Sequence, residues 1–174
     1  PSDVEYEAVQ KALMLVEFTK CPTYFVHIST AESVKLIREA KEKGLPVFAE
    51  TCPQYLLLDD VKYNGPFSQV VPFIMSPPLR RKEDQEALWE GLKDGTIDTV
   101  ATDHCPFTLE QKAVGKDDFM KIPNGAGGIY HRMGLLFTYG VLEGRLSMGE
   151  WVKVSSSNAA EIFEFNEFGK IKEG

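Results

Sequence analysis

Short apolar runs alternate with helix-like segments along the first part of this chain, and each run is long enough for one strand. The runs cover residues 24–28, 46–51 and 97–100. All three are rich in aromatic or β-branched residues, as strands are. Strands that alternate with helices form parallel sheets with right-handed crossovers. The pattern therefore predicts the α/β class, with strands spaced like those of a (β/α) barrel, although a complete barrel needs about eight of them.

Helix signals flank the predicted strands. Ser2 and Glu5 have the spacing of a capping box at the start of a first helix. Apolar residues at helical spacing predict further helices over residues 82–93 and 130–142. Residues 53–81 contain many prolines together with aromatic side chains, so we expect a long but ordered loop there.

Composition excludes several classes of function. The formal net charge is −7, from 26 acidic and 19 basic residues, so we expect no nucleic-acid partner. No apolar run has the length of a membrane span, and we expect no membrane partner. The odd number of widely spaced cysteines argues against a disulfide framework and predicts a cytoplasmic protein. Both ends of the sequence look cut, and we expect the chain to be part of something larger.

Two side chains with metal-binding chemistry follow predicted strands. His27 lies at the end of the first strand, and Asp103 follows the third. The carboxyl ends of parallel strands form the edge at which active sites lie. If both residues reach that edge, they suggest a metal-activated water with Asp103 as its base. The alternatives are a core histidine and a turn aspartate, and zinc takes more ligands than two.

Other polar residues have structural interpretations. His104 is expected to support Asp103. Glu50 is expected to make a hydrogen bond that supports the site rather than to act directly in catalysis. His131 is expected at the surface. Arg80 and Arg81 are expected to be solvated charges rather than an anion site.

Several motifs resemble, in order and spacing, the dihydropyrimidinase and hydantoinase family of cyclic amidohydrolases. They are residues 26–59, 76–80, 102–107, 121–125 and 128–145. The resemblance runs from about residue 2 to residue 163. It implies that residues 1–174 are the C-terminal part of a single amidohydrolase barrel domain. In that domain they would form about the last three strands of a (β/α)8 TIM-type barrel and the helices that follow.

The resemblance also implies a reaction and a site. Members of this family hydrolyse cyclic amides, such as 5,6-dihydropyrimidines and 5-substituted hydantoins, with metal-bound hydroxide. By motif, His27 matches a ligand of the second of two metal ions, usually zinc. Asp103 matches a metal ligand and the proton-transferring base. Ser76 and Asn124 match positions whose main-chain groups bind the ring amide of the substrate.

The family's other metal ligands have no counterpart in this sequence. They are a His-x-His pair, a carboxylated lysine and a further histidine. The resemblance therefore implies an incomplete metal site, and we expect the isolated chain to be inactive. Apolar faces that further strands would cover lead us to expect self-association, so the protein is predicted to be a homo-oligomer.

A non-catalytic scaffold of the same fold is the alternative function. The neuronal collapsin response mediator relatives have lost their metals and lack the aspartate that matches Asp103. The presence of both His27 and Asp103 favours the enzyme. The loop motifs favour the dihydropyrimidinase branch over a sister activity on dihydroorotate or allantoin.

Overall fold

Three short parallel strands form the sheet of this protein. The structure is a computed structural model and describes residues 2–171 and residue 173. The strands are β1 (Thr23–Phe25), β2 (Val47–Thr51) and β3 (Thr99–Val100), and β2 lies between the other two. The α/β class predicted from the sequence is confirmed, with a small parallel sheet and many helices.

Helices make up most of the rest of the described chain. The α-helices are α1 (Ser2–Thr19), α2 (Ala31–Glu42), α3 (Pro53–Leu57), α4 (Phe67–Val70), α5 (Lys82–Asp94), α6 (Leu109–Ala113), α7 (Arg132–Leu136), α8 (Met148–Val152) and α9 (Asn158–Ile162). Short 3-10 turns cover Asp60–Tyr63, Val71–Phe73 and Phe119–Lys121, and π-helical turns cover Phe137–Leu142 and Lys153–Ser157. Among the residues described, no helix is both long and apolar enough to cross a bilayer.

The sheet has one face against the helices and one half-open face. Along β2, buried and half-buried residues alternate, as the two-residue period of a strand requires. Val47 and Ala49 belong to the same buried cluster as helical residues such as Ile37. On the other face, Tyr24 Oη donates to Glu50 Oε2 at 2.7 Å. The two faces therefore have different environments, and the half-open face carries both polar and aromatic side chains, since Phe48 lies beside Tyr24.

Two sequence-based expectations were wrong in detail. The predicted loop over residues 53–81 contains short helical turns, several of whose apolar side chains, among them Tyr55, Leu56 and Val71, are buried in the core. The helix predicted over residues 130–142 is α-helical only in α7 and then widens into a π-helical turn. In that turn Gly140 packs against Trp89 and Leu146, where a Cβ would already be tight against the Leu146 side chain.

Leu88→Ala is expected to destabilise the chain by about 2–5 kcal/mol, because it removes buried methyl groups and leaves a cavity. Leu88 lies in α5 and is 0% exposed. Leu142→Ala is the matched control, since Leu142 is 68% exposed at the end of the π-helical turn Phe137–Leu142, and we expect a change within about 0.5 kcal/mol. Urea denaturation of both variants measures the difference. Equal losses of stability in the two variants would contradict the assignment of Leu88 to the core.

Candidate active site

His27 and Asp103 have the same unusual backbone conformation. Each follows the end of its strand, β1 or β3, and each has a φ of 46°. Residues other than glycine rarely adopt positive φ, although His and Asp do so more often than most. Such backbone strain persists where the surroundings impose it, and it is concentrated at functional sites. Because the strands are parallel, the two residues lie at one edge of the sheet, on either side of β2.

Strand β2 fixes the main chain beside both residues. The Ile28 N–H, next to His27, donates to the Glu50 carbonyl at 2.7 Å, and Thr51 Oγ1 donates to the Ile28 carbonyl at 2.8 Å. On the other side, the Ala101 N–H donates to the Thr51 carbonyl at 3.0 Å. The end of β2 therefore sets the positions of both segments that leave the sheet.

Glu5 of α1 holds the segment that follows His27. Its carboxylate accepts from the main-chain N–H groups of Ser29 and Thr30, at 3.0 and 3.1 Å, and from both of their hydroxyls. Arg80 Nη2 donates to the same carboxylate at 3.4 Å, and Arg80 Nε donates to Ser29 Oγ at 3.0 Å. The Glu5 and Arg80 side chains are each only 11% exposed. The expectation of a solvated Arg80 was therefore wrong, because its charge is paired with Glu5 in a largely buried network.

His27 and Ser76 line a common cleft of about 640 Å³, which we call the His27 cleft. Side chains of α1 and β1 form its largely apolar walls. His27 is half-buried and Ser76 is exposed. Asp103 and Asn124 are not among the described residues that line this cleft. The structure thus brings two of the four predicted site residues into one cavity.

Ser76 and Asn124 lie exposed on two segments, the Ser76 loop (residues 72–79) and the Asn124 loop (residues 121–128). The Asn124 side chain is turned back on its own loop, since its amide donates to the Ile122 carbonyl at 3.1 Å. The side chain of Asn124 is therefore engaged within the loop.

The two loops touch through their main chains. The Gly125 N–H donates to the Ile74 carbonyl at 3.2 Å. Gly125 has a φ of 145°, and a Cβ there would collide with the carbonyl oxygen of Cys105. Only glycine therefore fits this contact without a shift of the backbone.

The segment after Asp103 is held to the Asn124 loop. The Cys105 N–H donates to the Ala126 carbonyl at 3.0 Å, and His104 Nδ1 accepts from the Gly128 N–H at 3.0 Å. Since an accepting ring nitrogen carries no proton, the neutral His104 has its N–H at Nε2. His104 therefore supports the Asn124 loop, and its expected support of Asp103 stays a prediction.

Two buried groups near Asp103 remain uncharged. Burial raises the pKa of the Cys52 thiol well above its ordinary value, and the carboxylates of Glu50 and Asp103 raise it further. Burial also raises the pKa of Tyr55, with smaller contributions from Cys52 and Asp103. Both residues are therefore neutral at physiological pH.

The donor set of this chain fits part of a metal site. An imidazole and a carboxylate, as in His27 and Asp103, are suitable ligands for zinc. Within residues 2–171 and residue 173, no group of three or more His, Cys, Asp or Glu residues is placed to hold a metal ion. A complete site therefore needs ligands beyond those that the described residues supply.

Sequence reasoning missed three residues that shape this edge. Glu5 was assigned to a capping box, yet its carboxylate binds the segment after β1. Arg132 Nη1 donates to the carbonyl of Val100, the last residue of β3, at 2.8 Å. Lys112 joins the Ser76 and Asn124 loops. None of these contacts leaves a local pattern in the sequence, although Arg132 lies in one of the motifs that resemble the amidohydrolases, residues 128–145.

No protein-family model matches the chain. Among curated proteins, it is 42% identical over 164 residues to a D-hydantoinase of Geobacillus stearothermophilus. It is also 42% identical over 165 residues to a D-phenylhydantoinase of Escherichia coli O1:K1. Each match covers 94% of this chain and 35% of the relative. The chain therefore spans about a third of the length of these curated relatives.

Solved structures give the same assignment. The chain is similar to the dihydropyrimidinase of Brevibacillus agri, with a TM-score of 0.97 and 42% identity. It is also similar to the L-hydantoinase of Arthrobacter aurescens, with a TM-score of 0.90 and 34% identity. Each match covers 100% of this chain and 38% of the solved chain. Sequence and fold agree, as the motifs predicted, that this chain belongs to the D-hydantoinase and dihydropyrimidinase family.

Proposed function

We propose that this chain supplies part of the active site of a metal-dependent hydrolase that opens cyclic amides. The substrates are 5,6-dihydropyrimidines or 5-substituted hydantoins, in line with the names of the relatives. The observation that carries the proposal is the matched placement of His27 and Asp103. Both have a φ of 46° and follow parallel strands that flank β2.

The proposal extends to the architecture. Residues 1–174 would be the C-terminal part of a single barrel domain and would contribute about its last three strands. Support comes from three adjacent parallel strands, one face of which packs against the buried helical core. The other face carries Tyr24 and Glu50 in a hydrogen-bonded pair and would line the barrel interior.

His27 and Asp103 would hold a divalent metal, as part of a centre with two zinc ions. When bound, the metal would polarise the amide carbonyl and make water nucleophilic at neutral pH. Asp103 would accept the proton of the attacking water on a carboxylate oxygen and deliver it to the ring nitrogen as the C–N bond breaks. Main-chain groups at Ser76 and Asn124 would bind the ring amide, and the contact between their loops holds these groups in place.

An exposed apolar face on α1 supports a homo-oligomer. Apolar residues of α1 are exposed, among them Met14 at 65% and Phe18 at 89%. An exposed apolar face of this kind marks a contact surface, and we propose that it is buried in a homo-oligomer. The three cysteines are unpaired, which supports the proposed cytoplasmic location.

A chimera tests the proposed function. In it, this chain replaces the matching third of the Geobacillus stearothermophilus D-hydantoinase. We expect the chimera to bind zinc, measured by mass spectrometry, and to hydrolyse dihydrouracil or 5-phenylhydantoin. The isolated chain, the control, is expected to do neither. A folded, zinc-loaded chimera that opens neither ring would overturn the proposal.

A further inference from the structure

Lys112 is a buried lysine whose ammonium joins the Ser76 and Asn124 loops. It lies in α6 and is 2% exposed. Its Nζ donates to the Ile74 carbonyl at 2.6 Å and to the Pro123 carbonyl at 3.0 Å. Ile74 lies two residues before Ser76, and Pro123 directly precedes Asn124. A single side chain therefore holds the main chain beside both proposed substrate-binding positions.

The groups that hold the ammonium are neutral. Its hydrogen-bond acceptors are two carbonyl groups, and the face of the Phe107 ring lies 5.8 Å from Nζ, at a distance where it attracts a cation. Burial lowers the pKa of Lys112, although the nearby Cys105 opposes this change. Removal of a charge from water is costly, and apolar side chains of similar volume often stabilise such positions better. Packing alone therefore does not account for a lysine here.

Two features fix the position of the ammonium: the start of the helix that carries Lys112, and the contact between the two loops that it joins. Helix α6 begins in a capping box, in which the Thr108 N–H donates to Gln111 Oε1 at 2.8 Å and Thr108 Oγ1 accepts from the Gln111 N–H. The Ile74 carbonyl also accepts the Gly125 N–H, so a second hydrogen bond joins the same two loops. An ammonium carries three N–H donors at tetrahedral angles to one another and can therefore donate to two carbonyls at once.

We propose that Lys112 is a positioning residue that sets the spacing of the Ser76 and Asn124 loops and, through it, the affinity for the ring amide. The proposal rests on the proposed function, because it assigns those two loops to substrate binding. Lys112 itself touches main-chain carbonyls and takes no part in the chemical step.

Hydrogen exchange of the full chain tests the positioning role directly. In Lys112→Met, which keeps an unbranched side chain up to Cε but has no donor, we expect amides of the two loops to exchange about tenfold faster. Lys112→Arg keeps the charge and donors and is expected to retain more of the protection. Lys116→Met is the matched control, since Lys116 is exposed close to α6. Unchanged exchange in both loops, or faster exchange spread evenly over the chain, would overturn the proposal.

Kinetics of the chimera separate positioning from general stability. With Lys112→Met we expect KM to rise about tenfold at unchanged zinc content, and kcat to change by less than about threefold. A lower kcat with unchanged KM would mean a smaller folded fraction and would overturn the positioning role. If the unsubstituted chimera opens neither ring, the proposed function fails, and hydrogen exchange still decides whether Lys112 holds the loops.

Discussion

Asp103→Asn is expected to lower kcat of the chimera by about 10³-fold or more and to leave the fold intact. A positioned general base contributes about 10²–10⁴-fold to a rate, and the amide of asparagine neither accepts the proton nor supplies a negative charge to a metal. The substitution is well tolerated by the backbone, because asparagine adopts the left-handed conformation found here, with a φ of 46°, more readily than most residues. The loss of activity therefore reports on the carboxylate.

Steady-state hydrolysis of dihydrouracil and 5-phenylhydantoin, with zinc content and melting temperature, measures this prediction. Glu164→Gln is the matched control, since Glu164 is another carboxylate on a left-handed backbone, with a φ of 58°, beyond α9. It is expected to leave kcat unchanged. An Asp103→Asn chimera that keeps more than about a tenth of the turnover would remove Asp103 from the role of base.

The sequence predicted where the candidate site residues lie, as far as their placement depends on local pattern. Apolar runs marked the strands, and the residues just beyond them, His27 and Asp103, follow β1 and β3 at one edge of the sheet. This worked because the carboxyl ends of parallel strands share an edge whatever the details of packing. The left-handed conformation of both residues was not predictable, since neither is a glycine and the surrounding contacts impose it.

Polar contacts between residues far apart in the chain could not be predicted from the sequence. Glu5 and Arg80 are far apart in the chain and carry no periodic signal, yet they form a largely buried ion pair. Lys112 lies in a five-residue helix and looks like any solvated lysine. Charged residues are rarely buried, so Arg80 was expected to be solvated, and neither Glu5 nor Lys112 was singled out as a buried charge. Their partners become identifiable only when the strands, loops and α1 have been placed in three dimensions.

The pair of Glu5 and Arg80 leads to the largest expected effect on stability. The Glu5 carboxylate is the common acceptor for Arg80 and for the main chain of Ser29 and Thr30. Glu5→Ala leaves the Arg80 guanidinium without its partner in a site where its side chain is 11% exposed. Removal of one member of a buried pair costs about 3–5 kcal/mol, because the remaining charge stays desolvated. We expect a loss of that size in the free energy of unfolding.

Urea denaturation of a double-mutant cycle measures this prediction. Glu7→Ala is the matched control on the same helix, because Glu7 pairs with Lys11 at 63% and 71% exposure and such pairs contribute about 0.5 kcal/mol or less. If Arg80 is destabilising only when unpaired, Glu5→Ala combined with Arg80→Ala will cost about 1–3 kcal/mol less than the sum of the single substitutions. Strictly additive losses, or a Glu5→Ala effect no larger than that of Glu7→Ala, would mean that α1 is held by its apolar face alone. In that case the segment after His27 would owe its conformation to β2.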